Sequence, residues 1–84
     1  MRPNDDTMAR VAAILERIAK TPPTAVTPEK SLRRDFGIDS LSMIDVVVAA
    51  EDEFGVVISD DDAERIDTVE DLVRRLDEAK GKEP

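Results

Sequence analysis

The chain lacks several residue types on which reactive and metal-binding sites are usually built. Its 84 residues include no cysteine, histidine, tryptophan or tyrosine. Without cysteine there is neither a disulfide nor a thiolate metal ligand. Without histidine the usual general base and the commonest metal ligand are absent. These absences weigh against catalysis by the chain itself and against a transition-metal site.

Long hydrophobic runs are missing as well. No apolar run approaches the roughly 20 residues that span a bilayer, and Met1 to Asp6 lack the apolar segment of a signal peptide. The length allows one small domain with a modest core. We therefore expect a single domain over residues 1–84, ordered from about residue 5 to residue 79, in a monomeric cytoplasmic protein without membrane association.

Positive charge is missing from the middle of the chain. Residues 35–64 hold ten Asp and Glu and no Lys or Arg, within a net charge of −8. Nucleic-acid binding needs basic residues that displace counterions, so the acidic middle argues against it. The same segment favours a protein partner with a basic patch, attracted electrostatically. The alternative is a solvated acidic surface that serves solubility alone.

Hydrophobic spacing predicts a first helix followed by a long connection. Apolar residues recur at helical intervals from Met8 to Ile18, and the Pro22-Pro23 pair ends the helix. Residues 21–38 form a connection long enough to be functional or internally packed, with a short helical turn near residues 31–34. Candidate caps of the helix are Asp5, Asp6 and Thr7, and candidate core anchors of the connection are Val26, Leu32, Phe36 and Ile38.

Three further helices follow the connection. Residues 40–54 form the second helix, and Gly55 is its C-cap. Ser59 caps a short third helix with three aspartates in its first turn, where their charge suits the helix dipole. The last helix starts at Thr68, with Asp71 placed for a capping box. The predicted fold class is all-α, a small four-helix bundle of three main helices and one short helix, with the long connection between helices 1 and 2.

The second helix carries apolar side chains on two faces. At about 100° per residue, the face expected to enter the core comprises Met43, Val46, Val47, Ala50 and Phe54. The opposite face comprises Leu41, Ile44, Asp45, Val48 and Asp52. An aliphatic stripe edged by carboxylates predicts a docking surface. The alternative is that the long connection or the third helix covers this stripe.

The start of the second helix is the most informative segment, Asp35-Phe36-Gly37-Ile38-Asp39-Ser40-Leu41-Ser42-Met43. Ser40 is the first residue or the cap of the helix, where backbone N–H groups and the positive dipole end favour an added anion. Gly37 lets the incoming chain turn sharply. A catalytic serine would need a positioned base, and the Gly-x-Ser-x-Gly elbow is absent. The residues around Ser40 therefore do not predict an enzyme nucleophile, and the helix start predicts a place where an added phosphate would be stabilised.

These residues resemble a known family. Gly37, Asp39, Ser40 and Leu41 match the signature of the acyl carrier proteins, and the resemblance extends over roughly residues 5–79, towards the type II fatty-acid carriers of high-GC Gram-positive bacteria. It implies that a phosphopantetheinyl transferase, using coenzyme A and a divalent metal, attaches 4′-phosphopantetheine to Ser40. Acyl chains then travel as thioesters between enzymes of fatty acid or related lipid biosynthesis. Carried over by position, the residues that bind the basic patches of these enzymes are Asp39, Leu41, Ile44, Asp45, Val48 and Asp52, with Asp60 and Glu64 added from the third helix.

Other interpretations stay open on the residues alone. A carrier of polyketide, peptidyl or siderophore-lipid assembly has the same motif, so the pathway and the acyl group are undetermined. An acidic helical interaction module would use Ser40 only as a cap. A calcium buffer is a third, but the consecutive aspartates at 60–62 do not match the alternating ligands of an EF-hand, so no metal site is expected. The basic stretch Lys30 to Arg34 departs from the family pattern.

Overall fold

The structure is a computed structural model that describes residues 5–81. This part of the chain forms four α-helices, α1 (Asp5–Ala19), α2 (Ser40–Phe54), α3 (Asp60–Arg65) and α4 (Val69–Gly81), and one 3₁₀ helix, Pro23–Ala25. Its extended pairing is an isolated antiparallel bridge between Ser31 and Thr68. The predicted all-α bundle of three main helices and one short helix is confirmed.

The core lies between α1, α2 and α4. Each of these helices turns one apolar stripe inward, because its apolar residues recur at three- and four-residue intervals. Leu15, Val46 and Leu72 have no exposed surface, and full burial of such a side chain contributes roughly 1.5–3 kcal/mol. The other buried apolar residues of the three helices are Val11, Ala12, Ile14, Met43, Val47, Ala50, Val69, Val73 and Leu76.

Side-chain and glycine caps define three of the helix ends as the sequence predicts. Gly55 has a φ of 65°, a left-handed conformation that glycine adopts without a Cβ penalty, and its N–H donates to the Glu51 carbonyl. The Asp62 N–H donates to Ser59 Oγ over 3.2 Å. At the start of α4 the Asp71 N–H donates to Thr68 Oγ1 and the Thr68 N–H donates back to Asp71 Oδ2. The predicted capping box is therefore present.

The prediction for the start of α1 is wrong. The helix already includes Asp5, Asp6 and Thr7, and the residue before it lies outside the described part of the chain. Thr7 is fully buried, and its hydroxyl donates to Asp77 Oδ1 over 2.8 Å. The hydroxyl therefore links α1 to α4 rather than capping a helix.

The long connection contains the predicted helical turn. The Asp35 N–H donates to the Ser31 carbonyl over 2.9 Å, the bond of a single α-helical turn, and the adjoining backbone pairs with the start of α4. The Leu32 N–H donates to the Asp67 carbonyl over 2.8 Å, and the Val69 N–H donates to the Lys30 carbonyl over 2.9 Å. Leu32 and Ile38 are buried as predicted. The end of the connection is thereby fixed where the chain enters α2.

Candidate functional site

Ser40 is the first residue of α2, and it is exposed. Asp39 precedes it as the N-cap, with an extended backbone and a carboxylate that accepts the Ser42 N–H over 2.8 Å. The two roles that the sequence left open are thus divided between neighbours. Asp39 caps the helix, and the Ser40 hydroxyl is not used for capping.

The approach to Ser40 depends on one glycine and one buried anchor. Gly37 has a φ of 66°, a region that L side chains rarely adopt. No atom lies within 4 Å of the position a Cβ would take there, so the backbone conformation rather than crowding requires glycine. Ile38 is buried, and its N–H donates to the Leu32 carbonyl over 3.1 Å. This anchor turns Asp39 and Ser40 out to the surface.

The electrostatics of the helix start suit an anion bound through Ser40. Hydrogen bonds from Ser42 hold the pKa of Asp39 below its ordinary value, and the bond from the Ser42 backbone N–H contributes most. The positive end of the dipole of this 15-residue helix favours a phosphodiester beside it. The residues at this helix start therefore fit a phosphate-linked group on the exposed Ser40 hydroxyl. Another protein would catalyse the attachment.

The stripe on α2 lies open to solvent. Leu41, Ile44 and Val48 are 76%, 58% and 48% exposed, and Asp45 and Asp52 are exposed beside them. The alternative that the connection or the third helix covers the stripe is therefore wrong. We call these five residues the α2 face; it begins next to Ser40 and runs along the helix.

A cleft between α2 and α3 adjoins the α2 face. Its volume is about 220 Å³, and it is lined by Met43, Ile44, Val47, Val48, Glu51, Ile58, Asp60 and Ala63. Asp60 thus borders the α2 face. Glu64 is exposed on α3 but is absent from this lining. Glu51 fixes one wall, since its carboxylate accepts the Ile58 N–H over 2.8 Å.

The sequence reasoning missed Arg17, which lies at the other edge of the α2 face. A groove of about 440 Å³ is lined by Arg17, Asp45, Val48, Ala49, Asp52 and Glu53. Arg17 comes from α1, so it adds a positive charge to an otherwise acidic surface. No local sequence pattern predicts that Arg17 lies beside the α2 face, because this position results from the packing of α1 on α2.

Two further features bear on function. Within residues 5–81, no helix is long and apolar enough to cross a membrane. The same part of the chain holds no cluster of three His, Cys, Asp or Glu side chains arranged to bind a metal ion.

Comparison with known proteins identifies the family. Residues 9–76 match the phosphopantetheine attachment site family. An acyl carrier protein of Thermobifida fusca is 47% identical over 66 residues, which cover 79% of this chain and 84% of that relative. A meromycolate extension acyl carrier protein of Mycobacterium tuberculosis is 38% identical over 80 residues, covering 95% of this chain and 70% of that relative. The crystal structure of an acyl carrier protein of Thermotoga maritima matches with a TM-score of 0.83 at 25% identity, covering 94% of this chain and 92% of that one. The chain therefore belongs to the acyl carrier proteins, the phosphopantetheine-bearing carriers of acyl groups in lipid biosynthesis.

Proposed function

We propose that Ser40 is the residue through which this acyl carrier bears its phosphopantetheine. The observation that carries the proposal is the position of Ser40, exposed at the first residue of α2 and relieved of capping by Asp39. A phosphopantetheinyl transferase binds coenzyme A as the donor of the group and provides the base, so Ser40 needs accessibility rather than activation. The chain itself catalyses no step and acts as one monomeric domain.

The α2 face is the proposed docking surface for the transferase and the acyl-processing enzymes. Exposed aliphatic side chains at its centre and carboxylates at its edge match an apolar contact with a polar rim. Asp39 lies at the Ser40 end of the face and Asp60 at its α3 side, and we assign Glu64 to the outer rim. Complementary partners have basic patches, which approach faster under electrostatic attraction.

The proposed cargo is a fatty-acyl thioester. The Thermobifida relative is named only as an acyl carrier protein, and the Mycobacterium relative is named for meromycolate extension. We infer from the second name that this chain carries growing fatty-acyl chains. The mass of the cargo on protein purified from its own host tests this, since a polyketide, a peptidyl or a siderophore-lipid group would have a different mass.

The α2–α3 cleft is the proposed shelter for the part of the acyl chain nearest the thioester. Six of its eight lining residues are apolar, the exceptions being Glu51 and Asp60, and its volume of about 220 Å³ is several times the roughly 30 Å³ that a water molecule occupies. A longer chain would require α2 and α3 to part. Nuclear Overhauser contacts between an octanoyl chain and Val47 or Ala63 would support this role, and contacts confined to solvent-exposed residues would contradict it.

The attachment site is tested by intact mass. The apoprotein is incubated with coenzyme A, Mg²⁺ and a broad-specificity phosphopantetheinyl transferase, beside Ser40→Ala and the matched control Ser42→Ala. We expect a phosphopantetheine-sized gain in the wild type and in Ser42→Ala, and none in Ser40→Ala. A gain in Ser40→Ala would place the arm elsewhere. No gain in a folded wild type would leave Ser40 as a structural residue of the helix start.

The docking surface is tested by charge reversal. We expect Asp45→Lys with Asp52→Lys to lower kcat/KM for loading by about fivefold at low salt, and by less at high salt, because the lost attraction is screened. The matched control carries Glu16→Lys and Glu78→Lys, which change the net charge equally at exposed positions on α1 and α4, away from the proposed docking surface. An equal loss in the control would show an effect of net charge alone.

A further inference from the structure

The basic stretch at residues 30–34 has no role in the function proposed above. Arg33 and Arg34 are exposed, and they stand between the buried Leu32 and the half-buried Phe36. The sign of the charge changes directly after them, because residues 35–64 contain no Lys or Arg. We call residues 31–36 the arginine turn.

The backbone of the arginine turn is held firmly. Ser31 Oγ donates to Asp67 Oδ1 over 3.0 Å and accepts the Arg34 N–H over 3.2 Å. Asp35 Oδ2 accepts the Ser31 N–H over 2.6 Å. Leu32 is fully buried, and its N–H donates to the Asp67 carbonyl. These contacts fix the turn through its backbone, through Ser31 and through Leu32.

The two guanidinium groups are left out of this network. Ion pairs in the described part of the chain involve Arg10, Arg74 and Arg75, and none involves Arg33 or Arg34. A fixed backbone that presents two unpaired arginines has already lost part of the entropy that a binding loop loses on association. Arginine also pairs with carboxylates through a planar, bidentate geometry.

The arginine turn lies beside the entry to α2. The Ile38 N–H donates to the Leu32 carbonyl over 3.1 Å, and Ser40 follows two residues later. The arginine turn precedes Ser40 in the chain, and the α2 face follows it. The two carry charges of opposite sign.

The opposite charges before and after Ser40 constrain how one enzyme, the transferase, can dock. The transferase must bring its active site to the Ser40 hydroxyl itself, whereas later enzymes act at the far end of the attached arm. A transferase surface that is basic throughout would attract the α2 face and repel the arginine turn. Charges of both signs in the contact fix the orientation of docking. The net charge of −8 also disfavours a broad anionic surface such as a membrane.

We propose that Arg33 and Arg34 form a second docking contact, which receives a carboxylate-bearing surface of the phosphopantetheinyl transferase. The inference rests on the proposed attachment at Ser40. It adds a partner contact outside the α2 face and predicts the sign of the charge on the transferase at that place.

Steady-state loading by the transferase of the same organism tests the contact. The full chain is compared at low salt with Arg33→Gln/Arg34→Gln and with a matched control, Lys20→Gln/Arg74→Gln, which removes two exposed positive charges elsewhere. We expect the arginine-turn variant to raise the KM for the carrier about threefold or more, and the control to change it little. The KM for coenzyme A should stay the same, and Arg33→Lys/Arg34→Lys should recover part of the loss.

Other results would overturn the proposal. An unchanged or lower KM for the carrier, or an equal rise in the control, shows that the arginine turn does not contribute to docking. A raised KM for coenzyme A shows that the arginines contact the phosphates of the nucleotide instead. A wild type that is not loaded at all contradicts the assignment of Ser40, whereas normal loading with an unchanged KM contradicts the arginine contact alone.

A direct probe is independent of loading. Hexaglutamate is titrated into the ¹⁵N-labelled apoprotein and into Ser40→Ala. We expect amide shifts at residues 31–36 in both proteins, and their loss in Arg33→Gln/Arg34→Gln. Shifts that are absent, or that persist in the arginine-turn variant, would overturn the proposed contact with carboxylates.

Discussion

At the residue scale, single polar side chains connect distant parts of the chain. Thr7 bonds to Asp77, 70 positions later, and Glu51 holds the backbone of Ile58 across the loop before α3. A buried or half-buried polar group needs such a partner, because leaving it unpaired costs roughly 1–3 kcal/mol. These bonds fix the positions of the helices relative to one another. Hydrophobic contact alone is non-directional and would not specify one relative position.

Thr7→Val tests the first of these bonds. Valine has nearly the shape of threonine but removes the hydroxyl donor, so Asp77 loses a partner in a partly buried place. We expect the free energy of unfolding to fall by about 1–2 kcal/mol in urea titrations. The control Thr24→Val changes an exposed residue and should shift it by less than about 0.5 kcal/mol. Equal effects at the two positions would contradict a specific role for the Thr7 hydroxyl.

Asp71 predicts a dependence of stability on pH. A hydrogen bond from the backbone N–H of Thr68 is the main reason that the pKa of Asp71 lies below its ordinary value, and a second bond from the Asp67 N–H adds to it. A carboxyl with a lowered folded-state pKa stabilises the fold fully above its unfolded pKa of about 4. It loses that contribution as the pH falls through the folded-state value.

Asp71→Ala should therefore lower the free energy of unfolding by about 1 kcal/mol at neutral pH. As the pH falls below about 4 the difference between the variant and the wild type should shrink, and it should vanish once the pH lies below the lowered folded-state pKa, because the folded wild-type carboxyl is then protonated. Urea unfolding measured across this range checks the prediction. A difference that stays constant down to the lowest pH would show that the carboxylate charge is irrelevant to the cap.

At the element scale, α3 is the helix with the weakest attachment. It has six residues and no buried side chain. Its polar attachments are the Ser59 cap, an ion pair of 3.7 Å between Asp62 and Arg75 of α4, and the Glu51 bond in the preceding loop, and the half-buried Ala63 packs against the core. Elements with few buried apolar contacts open locally at low free energy. Because α3 forms one wall of the cleft, its opening would widen the proposed acyl shelter.

Arg75→Gln should loosen α3 without unfolding the domain. The ion pair is partly exposed, so its loss should cost no more than about 1 kcal/mol. We expect amide exchange in residues 60–65 to quicken about two- to fivefold, with smaller changes in α1 and α2. Arg74→Gln is the matched control, since Arg74 pairs with Glu70 within α4. Uniform quickening through the chain would indicate global destabilisation instead.

At the scale of the whole molecule, the charge distribution sets both stability and partner choice. The net charge of −8 comes from an acidic middle flanked by more basic segments. Like charges on the α2 face and α3 repel one another, and surface ion pairs offset little of this. The same charge concentrates basic partners near Ser40. An acidic docking surface therefore lowers stability while it quickens association.

Added salt should stabilise the domain. From about 0.01 M to about 0.1 M salt the Debye length falls from roughly 30 Å to roughly 10 Å, which weakens the repulsion between separated carboxylates. We expect the free energy of unfolding to rise on the order of 1 kcal/mol over this range. Asp45→Lys/Asp52→Lys halves the net charge from −8, since each substitution adds two positive units, and should respond less. Destabilisation by salt would show that attractive pairs dominate.

The sequence by itself determined the helices, most of their caps and the candidate attachment site. The period of the apolar residues, the Gly55 C-cap, the Ser59 cap and the Thr68–Asp71 capping box all depend on neighbours within about one helical turn. Interactions between such close neighbours can be predicted from a single sequence. The same period places the aliphatic stripe on the second face of α2, but the sequence left open whether another segment covers it, and the exposure of the stripe is a result of the structure.

Only the tertiary structure decided the contacts between distant segments. The bridge between Ser31 and Thr68 joins the connection to the start of α4, Thr7 bonds to Asp77 instead of capping α1, and Arg17 lies at the edge of the α2 face. Each depends on how the helices pack, and no local spacing encodes that. The backbone and polar groups of the connection form whichever hydrogen bonds the packed helices bring within reach, so these partners are fixed by the assembled fold.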